Sequence, residues 1–393
     1  DRLDLESQLG HGFTIQSHFH SGDQSWATVW CDSQSLIDWP QRDIGLGLLD
    51  YQWGAPWSNT PRHQERDAGL RTTLPGPLGA DQIDKAGTSR PTGGGDRCLV
   101  IDHGFPLEHL NQSGISYRYR SSSGRNRWCQ PVSSHGAQVL GLLCDMAQGL
   151  GLPQAAPWLL YELPDALMST MPMGALWPEV VDAVYWALTE CVMGDTLTVL
   201  ISVVSTDGDR HPKSLISRCA QALVVHAREL GVRLCWMMAA GNSHSEQQNL
   251  SWSMDEGGLV EFEWCLPPEN HRPSFLECWY NTPKAPARFS VLPPRKEGSE
   301  GPPVWAFATK NHTFSGRTQT VLRLPPTAGW MREPAWAQAG PWRVRFEAPE
   351  AGPLDVHLSM MAPPASALFR QARLHALSTS HARVMPICSL SGL

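Results

Sequence analysis

Residues 97–242 do most to decide the fold class of this 393-residue chain. Short apolar runs recur there: Cys98-Leu-Val-Ile101, Trp158-Leu-Leu-Tyr-Glu162, Thr196-Leu-Thr-Val-Leu-Ile-Ser-Val-Val204 and Arg233-Leu-Cys-Trp-Met-Met-Ala-Ala-Gly-Asn242. Runs without polar alternation belong to strands covered on both faces. Stretches of helical periodicity separate them. From His135 onward, Val139, Leu142, Leu143 and Met146 predict a mostly buried helix. Residues 178–193 predict a second, with Pro178 in its first turn. Residues 213–230 predict a third, with Ile216, Cys219, Leu223, Ala227 and Leu230 on one face and Gly231 as its stop. This alternation implies an α/β domain built on a doubly wound parallel sheet.

In such sheets ligands bind at the carboxyl ends of the strands. Asp102 stands there, in Asp96-Arg-Cys-Leu-Val-Ile-Asp-His-Gly104. His135 opens a helix in Ser133-Ser-His-Gly-Ala-Gln-Val-Leu-Gly141, and Asn242 ends a later strand. A carboxylate at a strand end of this kind is well sited for chemistry.

These three segments, in this order, resemble the subtilisin-like serine proteases. That family carries Asp-x-Gly, His-Gly-x-His-x-x-Gly and Ala-Ala-Gly-Asn, followed by Gly-Thr-Ser-x-Ala-x-Pro with the nucleophile. The resemblance implies that His135 is the base, Asp102 its orienting carboxylate and Asn242 the oxyanion donor. It also implies that Ser202 and Val203 line the substrate cleft, although Val203 and Val204 replace a smaller pattern. His103 and Gln138 depart from the family motifs and imply altered cleft walls, with His103 structural. No serine of the 393 residues stands in the nucleophile motif. Gly87-Thr-Ser-Arg-Pro91 lies upstream of Asp102 with its proline too early, so Ser89 is a decoy. The expectation is a serine endopeptidase fragment, inactive alone, whose serine lies beyond Leu393. The rival expectations are an inactive scaffold that binds peptides and a metal hydrolase using Asp102, His103 and His135.

Beyond Asn242 the texture changes to short alternating runs between Pro/Gly turns: 258–265, 274–280, 287–292, 304–308, 318–324, 342–346 and 354–360. Regular short strands without helices predict a β-sandwich, inserted or appended and resembling a jelly roll. The expected divisions are an N-terminal region of unclear fold (1–75), the first part of a subtilisin-like catalytic domain (76–244), the sandwich (245–374) and a truncated return to the catalytic domain (375–393). Within 1–75, residues 12–16 and 26–31 alternate like strands, and His11, His18 and His20 read as exposed loop histidines. Residues 80–86 predict a short helix in a Gly/Pro-rich connector. Residues 108–130, with Arg118, Arg120, Arg125 and Arg127, read as an exposed loop or hairpin.

The formal charge of -7 is spread along the chain and no Lys/Arg-rich run occurs, which argues against nucleic acid; the resemblance implies a protein or peptide substrate as partner. The ten cysteines lack paired spacing and several lie in apolar runs, so reduced thiols are expected, with no cofactor and no metal. No apolar run reaches the roughly 18 residues of a membrane span. The sequence leaves the compartment open.

Overall fold

The computed structural model describes residues 13–22, 24–31, 83–84, 95–105, 110, 116–121, 135–149, 157–163, 176–203, 214–239, 249–255, 257–268, 274–281, 288–294, 307–312, 316–327, 337–347, 351–359 and 373–377. A first pair of strands, β1 (Phe13–Ser21) and β2 (Gln24–Cys31), forms an antiparallel hairpin. Strands β3 (Ile83–Asp84), β4 (Asp96–Asp102), β5 (Tyr117–Ser121), β6 (Trp158–Glu162), β7 (Thr196–Ile201) and β8 (Arg233–Met238) form one sheet in the order β3-β5-β6-β4-β7-β8. The five strands from β5 to β8 in that order are parallel, and β3 is antiparallel at the edge.

Helix α1 (His135–Gly149) lies between β5 and β6 in the chain, α2 (Leu176–Thr189) between β6 and β7, and α3 (Leu215–Glu229) between β7 and β8. Alternation along β4 distributes them. Leu99 and Ile101 join a core with Val180, Val184 and Leu223 of α2 and α3, whereas Val100 joins Leu140 and Cys144 of α1. Helices therefore cover both sheet faces, as the apolar runs required. The hairpin packs on α2 and α3: Phe19 belongs to their core, and its ring lies 6.0 Å from Tyr185 and 5.3 Å from His226. The turn at Gly22 donates its N–H to Glu229 Oε1 at 3.1 Å.

Four expectations change. Residues 83–84 are a strand, not part of a helix, because Ile83 and Asp84 pair with Tyr119 and Arg118; seven residues are too few for a self-supporting helix. Within 108–130, residues 117–121 are a parallel strand that buries Tyr117 and Tyr119 and whose arginines meet acids on and just after α2, Arg118 with Glu190 and Arg120 Nη2 with Asp182 Oδ2 at 3.3 Å. His18 and His20 lie on strand β1, not in a loop; His11 falls outside the described residues. Helix α1 buries Leu140 and Cys144 but exposes Leu142 (64%) and Met146 (62%), so its apolar residues are split between core and surface.

The sandwich comprises two antiparallel sheets. The first new strands are β9 (Asn249–Met254), β10 (Leu259–Leu266), β11 (Ser274–Asn281), β12 (Arg288–Leu292) and β13 (Phe307–His312). They are followed by β14 (Arg317–Leu324), β15 (Gly340–Glu347), β16 (Gly352–Ser359) and β17 (Arg373–Ala376). One sheet runs β12-β15-β10-β17 and the other β13-β14-β11-β16-β9. Alternate residues meet in one core, with Phe262, Trp264, Val344 and Phe346 from the first sheet facing Leu276, Cys278, Leu354 and Val356 from the second. Strand β17 pairs with β10 through Ala376, which carries the sandwich past residue 374. Cys98 and Cys219 are free thiols, and burial pushes both up to about 12.

Candidate functional site

The carboxyl end of β4 brings together two of the residues singled out from the sequence. Asp102, the last residue of β4, is fully buried; His135, the first residue of α1, keeps half of its side chain exposed (51%). The ring Nδ1 lies 2.9 Å from Asp102 Oδ1 and 3.0 Å from Oδ2. A carboxylate at both distances can only accept, so it favours a proton on Nδ1; in the neutral ring that puts the lone pair on Nε2. Asp102 Oδ1 also accepts the His103 N–H at 2.6 Å, and Oδ2 accepts the Ser202 hydroxyl. The carboxylate thus has donors on both oxygens while the imidazole it holds reaches solvent.

Close contact between α1 and β4 sets this distance. Gly136 N donates to His103 O at 2.9 Å and Ala137 N to Gly104 O at 3.1 Å, so the first amides of the helix find acceptors in the turn after Asp102. A Cβ at Gly136 would lie 2.9 Å from Phe105 Cε1 and Cζ and 3.2 Å from Asp102 Cβ. The His-Gly pair is thereby explained: only a residue without a side chain lets the helix begin this close to the strand. Gly104 turns the chain at φ 87°, a left-handed conformation that favours glycine.

Ser202 follows β7, and its Oγ also lies 3.4 Å from Ile101 O. Its proton is directed to Asp102, not to the imidazole. The Val203 side chain is buried in the core shared with α2 and α3, so only its backbone is available to face a cleft. His103 is buried as well. Among the described residues no three His, Cys, Asp or Glu side chains converge as a metal would require, so Asp102, His103 and His135 do not form a ligand set. Asn242 and Ser89 lie outside the described residues.

Glu162 was not singled out from the sequence, although it repeats the pattern of Asp102: a carboxylate ending an apolar strand. It is register-paired with Asp102 and buried. Its Oε1 accepts from Gly104 N at 3.2 Å and Phe105 N at 3.3 Å, and its Oε2 from the Tyr119 hydroxyl. Tyr119 was hidden by the reading of residues 108–130 as exposed.

No family model and no curated protein matches the chain. Among solved structures it is similar to the CspB protease of Clostridium perfringens, with a TM-score of 0.36 and 13% identity, over 56% of this chain and 45% of that one. The chain therefore spans less than half the length of that protease. The molecule stands as a mixed α/β unit with a five-stranded parallel sheet, together with antiparallel sheets. Among the described residues no helix is long and apolar enough to cross a membrane.

Proposed function

We propose that this chain carries the general-base half of a subtilisin-like serine endopeptidase. The observation that supports this best is the two-distance hydrogen bond between buried Asp102 and half-exposed His135 at the carboxyl end of the parallel sheet. In this reading His135 Nε2 takes the proton of a serine hydroxyl as it attacks a peptide carbonyl, and later returns it to the leaving amine. Asp102 fixes the tautomer and balances the imidazolium. The Asn242 side chain donates to the oxyanion, and the backbone at Ser202 and Val203 pairs with an extended protein or peptide substrate. Ser202 is not the nucleophile, because its hydroxyl serves Asp102. No serine of residues 1–393 stands in the family's nucleophile motif, so in this reading these residues alone do not hydrolyse peptides.

A longer protein that contains residues 1–393 together with the family's serine motif tests this reading with a peptide substrate. Hydrolysis is expected, and His135→Ala should lower turnover by about 100- to 10,000-fold, the range for loss of a positioned base. A longer product that binds the peptide without cleaving it would replace the reading with that of an inactive binding scaffold.

A further inference from the structure

We propose that Glu162, with Tyr119, is a positioning pair that sets where His135 meets Asp102. The clamp has two sides. On one, the carboxylate of Glu162 holds the amides of Gly104 and Phe105 through Oε1, and Tyr119 holds its Oε2. On the other, the carbonyls of His103 and Gly104 accept the N–H groups of Gly136 and Ala137. The turn of residues 103–105 is thus fixed from the strand side by Glu162 and in turn fixes the first residues of α1. His135 immediately precedes Gly136, and the Phe105 ring lies where a Gly136 side chain would be. A shift of this turn moves the imidazole relative to Asp102.

The chemistry favours a carboxylate at 162. Three donors, two amides and a phenol, point at its two oxygens, which suits an acceptor-only group. Glutamine has the same shape but offers one acceptor oxygen and one donor nitrogen, so one of those hydrogens would face a donor. Neither Glu162 nor Tyr119 touches the reacting atoms; both act through the turn. The inference rests on the proposed function only for its catalytic meaning.

The experiment uses the 393-residue chain with 15N-labelled histidine and follows the Nδ1–H proton of His135 by NMR, with His135→Asn as the assignment control. In the parent this proton should be hydrogen-bonded and slow to exchange. Glu162→Gln should speed its exchange with water by about tenfold or more, in keeping with a misaligned hydrogen bond to a charged group, at temperatures where a cooperative melt shows the variant folded. Glu162→Asp, which keeps the charge but shortens the reach, should fall between parent and Glu162→Gln. An unchanged signal in folded Glu162→Gln overturns the proposal. Should that variant not fold, Tyr119→Phe carries the test, with faster exchange expected and a parental rate contradicting it. This readout needs no catalysis: a longer product that fails to cleave peptides defeats the protease reading and leaves the clamp standing, and a parental signal does the reverse.

Discussion

Asp102 in the α/β unit and Glu277 in the sandwich are both buried carboxylates, 0% and 2% exposed, and their partners separate them. Asp102 faces an imidazole that reaches solvent. Glu277 accepts from the Trp279 indole at 3.1 Å and the Gln319 amide at 2.6 Å, donors that do not titrate and are buried themselves. Both groups satisfy the rule that a buried charge needs donors. Only the first couples that satisfaction to a group able to carry a proton in and out. Burial of an acid thus identifies a constraint, and the exposure and chemistry of its partner decide whether the constraint is structural or functional.

Exchanging each carboxylate for its amide sharpens the contrast. In the longer, cleaving product Asp102→Asn should lower turnover by about 100- to 10,000-fold, because the ring loses its orienting charge, while Glu277→Gln should leave turnover within error. Peptide hydrolysis by both variants checks this, and an activity loss in Glu277→Gln would break the comparison. Stability should run the other way for the sandwich. Glu277→Leu strands the Trp279 and Gln319 donors, and thermal denaturation should show a loss of about 1–3 kcal/mol.

The α/β framework was legible because its strands are apolar runs with few alternatives, and each sequence-selected strand from Cys98 to Met238 lies in the sheet. Asp102 and His135 were legible as a strand end and a helix start. What escaped depends on contacts distant in sequence. Tyr117-Arg-Tyr-Arg-Ser121 alternates like a strand, but its arginines read as solvated until Glu190 and Asp182 supply their partners. Strand β9, Asn249-Leu-Ser-Trp-Ser-Met254, pairs with β16 and buries Leu250, Trp252 and Met254 in the core between the two sheets, with Trp252 stacked 5.5 Å from Phe262. Leu142 and Met146 share a helical period with core residues, and only tertiary packing shows which stripe faces the sheet.

A smaller effect belongs to α3 where the hairpin packs on it. Burial lowers the proton affinity of His226 below its usual value, against the opposing pull of the His20 backbone and Glu229. The unfolded chain therefore takes up this proton at a higher pH than the folded one. The stability that neutral His226 contributes is complete above about pH 6.5 and is lost as pH falls through its folded midpoint. Melting temperature against pH should decline below that point. His226→Gln should flatten this part of the curve, and a curve of parental slope would show that other groups govern it.

The central proposal is that Asp102 and His135 form a base that activates a serine of the family's nucleophile motif. Labelling with a reactive fluorophosphonate, read by mass spectrometry, tests it most directly. The longer product should label at the one serine of that motif, and His135→Ala or Asp102→Asn should abolish that labelling in folded protein. Residues 1–393 alone should leave Ser89 and Ser202 unmodified. Stoichiometric labelling of either serine, or labelling of the longer product that persists without His135, would contradict the account.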